Sequence, residues 1–431
     1  MKRLYNLVGA CLSAALLASC GGSNSFSSST PTSAAPPLAP LLGAPGLPQS
    51  LRSQPAFGRS ASHRIKKNVQ IESVLHSFTN TPDGDEPHDA LTNVGGTLYG
   101  TTYYGGTSGN GTVFKSTTSG TESVLYSFAG GSDGEAPWAG LLNVGGTLYG
   151  TTFGGGASGA GTVFKTTTSG AYAQLYSFAG GSDGASPIGG LTYLKLKDAF
   201  YGTTEIGGTG SCSSSQGAGC GTVFMIKCRL AGCTESVLYS FAGGSDGEEP
   251  KAGLLNVGGV LYGTTAYGGA SGTGTIFKIT TSGAESVLHS FAGGSDGAYP
   301  LDDLTRVGGE LYGTTVGGGA GGAGTIFKIT TSGAYSQLYS FAGGSDGLGP
   351  NAGLLNVGGT LYGTTFAGGA GDSGTVFALL KKGPEFVLYS FAGGSDGANP
   401  ATKLTNVGGT LYGMTERGGS SGFGTIFSFS L

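Results

Sequence analysis

The pentapeptide LYGTT occurs five times unaltered and once each as FYGTT and LYGMT, so Tyr99, Tyr149, Tyr201, Tyr262, Tyr312, Tyr362 and Tyr412 mark seven copies of one unit. Most copies recur at the spacing seen from Tyr99 to Tyr149, and each also carries a YSF or HSF ending and a GTVF or GTIF core. Such self-similarity is the signature of a structural repeat that cannot bury its apolar faces alone and stacks on its neighbours to do so. Seven units predict a closed ring.

The copy running from Pro137 to Phe178 shows what one unit folds into. It reads as four short β segments, AGLLNV, TLYGTT, GTVFKT and AQLYSF, rich in Val, Leu, Tyr, Phe and Thr and bounded by Gly, Ser and Asp. Gly145–Gly146 and Ser169–Gly170 fit the two hairpin turns. Both faces of the strands carry apolar residues, which suits sheets packed between other sheets. The expected fold is all-β: a seven-bladed β-propeller of four-stranded antiparallel blades, with AGLLNV innermost and LYSF outermost. The segment from Ile71 to Phe78 is a fourth strand without its first three, and the last repeat, from Pro400 to Leu431, ends after its third. Pairing of these N- and C-terminal strands would close the ring. A linear β-solenoid shares the periodicity and is the alternative.

These units, with LYGTT, the following GG, GTVFK and TTSG, resemble the GloVer tandem-repeat family of secreted and surface-anchored bacterial proteins. The likeness covers about residues 71–431; it implies a repeat architecture with varied anchors and brings no catalytic residues. The order of strands is also similar to NHL-type and kelch-type propellers, a likeness of pattern only.

Composition narrows the partners. Charged residues make up 11% of the 431 residues, well below the ~25% usual in globular domains, and 89 glycines take their place as turns. A net charge of −4 with no basic run argues against nucleic acid, which needs clustered Lys and Arg.

Lys2 and Arg3 precede an apolar stretch from Leu7 to Leu17 that reads as a secretory signal (residues 1–19), too short to span a bilayer comfortably. The following Leu17-Ala18-Ser19-Cys20 resembles the lipobox of bacterial lipoproteins, which makes Cys20 the expected lipidation site and membrane anchor. An ordinary cleaved signal with a chance cysteine is the alternative. Gly21 stands where an aspartate would favour inner-membrane retention, so the resemblance implies a cell-envelope protein of the outer membrane, periplasm-facing or surface-exposed. Residues 20–70 are rich in Ser, Pro, Ala and Gly and read as a flexible tether, leaving 71–431 as the propeller, expected to be monomeric.

The third repeat is longer than the others and holds Cys212, Cys220, Cys228 and Cys233. In an exported chain four cysteines make two disulfides, of three possible pairings. Local pairing is favoured, because each bridge would then staple one loop. Zinc is the rival, but the close CxxC pairs usual for it are absent.

Function is less legible than architecture. Strand alternation places the AGGSDG loops and the loops beginning YGG or GGG on one rim, where the copies differ most. Trp138, Tyr103, Tyr267 and Tyr299 would supply aromatic contact to a ligand there, with His88, Glu205, Glu249 and Glu416 setting its orientation. A glycan or an envelope protein is the expected partner class; simple loop drift is the competing explanation. The Asp recurring before Gly, from Asp83 and Asp133 to Asp396, reads as a turn residue, although a ring of carboxylates could hold calcium. No metal site and no cofactor are expected. His76 and His289 replace Tyr in YSF and read as packing variants.

Lys251, Asp302, Asp303, Arg306 and Lys403 interrupt the innermost strands and would face the channel. Asp302 and Asp303, as strand neighbours, would point to opposite faces and not act as a pair. No Ser, His and Asp set is visible, and no phosphate-binding glycine motif leads into a helix. A binding module is therefore the first reading; a propeller hydrolase or lyase with its site at the channel mouth, and a structural envelope scaffold, are the alternatives.

Overall fold

The computed structural model describes residues 72–212, 218–380 and 384–431. The expected signal, Cys20 and the 20–70 tether lie outside the described residues. Seven four-stranded antiparallel sheets form a β-propeller, each built from consecutive strands except the last. We number the blades 1 (92–127), 2 (142–177), 3 (192–240), 4 (255–290), 5 (305–340), 6 (355–390) and 7 (405–430 with 72–77). In blade 7 the N-terminal strand Glu72–Ser77 pairs antiparallel with the C-terminal strand Thr425–Ser430, which closes the ring.

Blade 2 shows the local logic. Its strands are Leu142–Val144, Thr147–Thr152, Thr162–Thr167 and Tyr172–Ser177. Of the expected first strand AGLLNV, only the last three residues pair within the blade. The carbonyls of Ala139 and Leu141 instead accept the hydroxyls of Thr101 and Thr92 from blade 1, so this segment is joined to its neighbour. In every blade the pairing of third and fourth strands contains a bulge, as between Val163 and Phe164 in blade 2; the extra residue bends the outer strand and strengthens its twist.

The repeated motifs fill the spaces between blades. Tyr99, Val113 and Phe128 of blade 1 pack with Leu141, Leu148 and Phe164 of blade 2. The same arrangement joins Tyr412, Met414 and Ile426 of blade 7 to Leu91, Leu98 and Phe114 of blade 1. Each such buried Leu or Phe contributes about 1.5–3 kcal/mol. The glycine of LYGTT is required by this packing: a Cβ on Gly150 would lie 2.6 Å from Cζ of the Phe164 ring. The last Thr of LYGTT bonds the Thr of GTVF in all seven blades, as between Thr152 and Thr162 at 2.8 Å, which satisfies two buried hydroxyls at once. Residues 70–431 form one compact unit that closes its own ring and all seven interblade cores, and so contain what is needed to fold by themselves.

The third repeat's extra length lies in blade 3. Its outer strands, Thr222–Arg229 and Gly232–Ser240, have 8 and 9 residues where the equivalents in blade 2 have 6. Two local disulfides form, Cys212–Cys220 across a rim loop and Cys228–Cys233 across the hairpin, where the two cysteines stand opposite each other in register.

Candidate active rim and channel

The two variable loops of each blade do share a rim. The residue after Asp-Gly pairs with the second residue after LYGTT in every blade: Asp85 with Tyr104, Glu135 with Gly154, Ala185 with Ile206, and so on to Ala398 with Arg417. The next residue, always before proline, takes a left-handed conformation at Glu86, Ala136, Ser186, Glu249, Tyr299, Gly349 and Asn399. This is unfavourable for residues other than glycine and for any residue preceding proline. It is held by two main-chain bonds. In blade 2 the Ala136 N–H donates to the Asn110 carbonyl of blade 1, and the Ala136 carbonyl accepts the Phe153 N–H. All seven blades repeat this pair, so the backbone of the rim is fixed whatever side chains it carries.

Three side chains per blade are released at this point: the left-handed residue, the residue after proline and the residue after LYGTT. Together with Tyr267, one position further along its loop, they gather the sequence-predicted residues into two groups. In blades 7, 1 and 2, His88 Nδ1 lies 2.9 Å from Glu416 Oε1 and the imidazole stacks on Trp138, with centroids 4.1 Å apart and planes 3° apart. Tyr103 meets both His88 and Trp138 edge-on. Tyr103 is itself buried, so it backs the stack from behind and does not present its ring to solvent. Burial pulls the His88 imidazolium down, but the charge and hydrogen bond of Glu416, joined by Glu86 and Asp89, overcome it and hold His88 above the ordinary histidine range.

In blades 3, 4 and 5, Lys251 Nζ lies 2.8 Å from Glu205 and 3.3 Å from Glu249, and 5.8 Å from the Tyr267 ring centroid; Tyr267 in turn meets Tyr299 edge-on. Burial lowers the Lys251 ammonium and the two carboxylates more than reverse it. Both acids are thus engaged by a lysine that the sequence placed on an innermost strand.

The channel holds a third group. Asp302 and Asp303 precede the strand Thr305–Val307 in a bend, so the expectation that strand alternation would separate them does not apply. Asp303 Oδ1 accepts the Gly253 N–H at 2.6 Å, and Asp89 Oδ2 accepts the Gly140 N–H at 2.6 Å. Lys403 reaches past blade 6 to donate to Thr305 Oγ1 at 3.1 Å. Burial pushes the Asp302 carboxyl well above the usual range, with Asp303 and Asp89 adding to the effect; burial and then Asp303 raise Asp89 likewise. Asp89 was missed from sequence, although Pro87-His88-Asp89 aligns with Pro300-Leu301-Asp302.

The turn aspartates behave as structural residues. Asp133 Oδ1 accepts the Tyr126 hydroxyl at 2.6 Å and Oδ2 accepts the Ala129 N–H at 2.8 Å. His76 and His289 take the tyrosine's place, reaching Asp83 at 2.9 Å and Asp296 at 3.0 Å. Across six of the interfaces the next blade adds one more residue. Where it is tyrosine it stacks, as Tyr172 does on Tyr126 with centroids 4.0 Å apart. Where it is glutamate, a second carboxyl faces the aspartate, and burial followed by that aspartate's charge pushes Glu122 and Glu285 to about 7, Glu235 and Glu385 to about 8. One of these places, His76 with Asp83 and Glu122, gathers three potential metal ligand atoms within 4.8 Å of one another. Its members come from sequence positions 76 and 122 in different blades, beyond the reach of any spacing rule.

No curated protein sequence matches the chain. Among solved structures it is similar to the BP39L lectin from Burkholderia pseudomallei (TM-score 0.55, 10% identity, covering 80% of this chain and 96% of that one). It is also similar to a europium-containing methanol dehydrogenase (TM-score 0.50, 11% identity, covering 85% and 94%). These are likenesses of fold. Residues 50–272, 209–359 and 257–431 match the Gloeobacter/Verrucomicrobia repeat, and the chain belongs to that repeat family.

Proposed function

We propose that this propeller is a lipid-anchored binding module of the cell envelope, tethered through Cys20 at the outer membrane and recognising a glycan or an envelope protein with its variable rim. The observation that carries the reading is the contrast on that rim between a backbone bonded identically in seven blades and side chains that differ in each. The half-buried Trp138 ring, backed by the buried His88 imidazole that Glu416 holds, offers an aromatic face at the rim, which suits a sugar ring. The lectin-like fold supplies no residues to this inference.

Trp138 is the chain's single tryptophan, so its emission reports the site directly. Titration with neutral and acidic oligosaccharides is expected to give a saturable change that His88→Asn abolishes. No change across the panel, with calorimetry also silent, would leave a scaffold. Anchoring is tested by palmitate labelling, expected in the parent chain and absent from Cys20→Ala.

A second reading rests on one observation. In the channel Asp89 and Asp302 are buried carboxyls beside Asp303, with Lys403 close by, and burial raises the proton affinity of both. Carboxyls whose proton affinities are raised in this way can serve as acid and base in a hydrolase or lyase. Turnover of a bound oligosaccharide, lost in Asp302→Asn with binding retained, would favour this alternative over a pure binding role.

A further inference from the structure

Blade 3 departs from the repeat on the opposite rim as well. In the other six blades the first hairpin turns through Gly-Gly, as at Gly145–Gly146; blade 3 has Lys195-Leu196-Lys197-Asp198 instead. Its outer hairpin replaces the Ser-Gly turn with Leu230-Ala231, preceded by Arg229 at the strand end, and projects beyond the neighbouring blades, stapled by Cys228–Cys233. With two to three extra residues per strand at ~3.3 Å each, the projection is about 7–10 Å.

Leu196 and Leu230 are both fully exposed, at 100% and 111%. One exposed leucine needs no explanation. Two at the adjacent tips of a single blade, each in place of a small turn residue and flanked by the exposed cations Lys195, Lys197 and Arg229, form a pattern. The one carboxylate there, Asp198, accepts the Tyr193 hydroxyl at 2.8 Å. Between the projecting hairpin and blade 2 lies a groove of about 360 Å³ with Tyr149, Leu175 and Phe200 in its walls and the cations Lys165 and Arg229 among its lining residues.

We infer that this edge of blade 3 docks on an anionic lipid surface. The leucines enter the acyl boundary, the cations meet headgroup phosphates, and the groove takes the apolar part of a displaced lipid. Apolar tips ringed by Lys and Arg are the chemistry of interfacial binding. Such docking holds the opposite, variable rim away from the bilayer, and it stands independently of both the rim's ligand and the anchor at Cys20.

The test uses residues 69–431, exported behind a cleavable signal so that the disulfides form and no lipid is attached. Flotation with phosphatidylglycerol–phosphatidylcholine vesicles is compared with pure phosphatidylcholine. Binding is expected to the anionic vesicles, weakening with added salt. It should fall about ten-fold or more in Leu196→Asp/Leu230→Asp and in Lys195→Glu/Arg229→Glu, while both variants keep the parent's thermal melt because the side chains are exposed. Equal partition of parent and variants, or no binding to anionic vesicles, would overturn the inference. So would concentration-dependent dimerisation abolished by the leucine substitutions, which would assign the edge to a second copy of the chain. Loss of vesicle binding in His88→Asn, with the leucine variant unaffected, would move the lipid contact to the other rim and also contradict it.

Discussion

Each blade has an outer zone and a mouth, and the two follow opposite rules. Outside, the Tyr or His of YSF, the turn aspartate and the backbone four residues before it make the same contacts from blade to blade. At the mouth, blade 1 carries Glu86, His88 and Tyr103 where blade 2 carries Ala136, Trp138 and Phe153 and blade 6 carries Gly349, Asn351 and Phe366. The backbone bonds beneath them are nonetheless the same. Where main-chain bonds alone hold the geometry, side chains are free to diversify; where a side chain supplies the bond, it recurs.

The largest effect is expected from the most deeply repeated contact. Gly150→Val would drive atoms into the Phe164 ring, where even a Cβ meets Cζ at 2.6 Å. It should cost more than about 3 kcal/mol in urea unfolding followed by circular dichroism. A near-neutral result would mean that the interblade packing is loose. Asp133→Ala follows, leaving the Tyr126 hydroxyl and the Ala129 N–H without their acceptor, at about 2–3 kcal/mol by the same measurement.

The outer zone should also respond to pH. Glu235 and Glu385 are held near 8 against an ordinary 4.5, so between those values the folded chain keeps protons that the unfolded chain releases. Their contribution is therefore fully present below about pH 4.5 and is lost as pH rises towards 8. Thermal melts should show stability declining from pH 5 to pH 8.5, and Glu235→Gln with Glu385→Gln should flatten that slope by raising the melting temperature at the alkaline end. An unchanged slope would mean that these carboxyls ionise freely.

The smallest expected effect on stability belongs to the mouth. Glu416→Gln keeps a side-chain oxygen that can accept from His88 and should cost about 1 kcal/mol, less than Asp133→Ala. By removing the charge that favours the imidazolium, it should also lower the pH at which His88 titrates in NMR spectra. A titration point that stays put would show that the Glu416 pair does not hold the ring proton.

How much of this was legible in the chain follows the same division. The phasing of LYGTT, YSF and the orphan strand 72–77 gave the ring, its closure and the shared rim, because these depend on periodicity and strand alternation. The shortness of the first strands was not legible, since the carbonyls of Ala139 and Leu141 are taken by threonines 38 and 49 residues away. Alternation misled at Asp302 and Asp303 because they lie in a bend ahead of the strand. The Glu and Tyr residues that cross to the previous blade's aspartate, such as Tyr172 donating to the Asp133 carbonyl at 2.7 Å, pair over 39 residues and belong to no local motif. Grouping of the rim residues into an aromatic–histidine set and a lysine–glutamate set likewise depends on which blades are neighbours in space.

The most direct measurement borrows residues that other blades already use at the mouth. His88→Asn, Tyr103→Val and Trp138→Ile, taken from Asn351, Val316 and Ile188, are combined in one variant, and its urea midpoint is compared with that of Asp133→Ala alone. If the main chain holds the mouth, the triple variant loses less stability than the single outer-zone substitution and unfolds as cooperatively as the parent. A loss equal to or greater than that of Asp133→Ala would show that the mouth side chains hold the fold, and would contradict the division between the two zones.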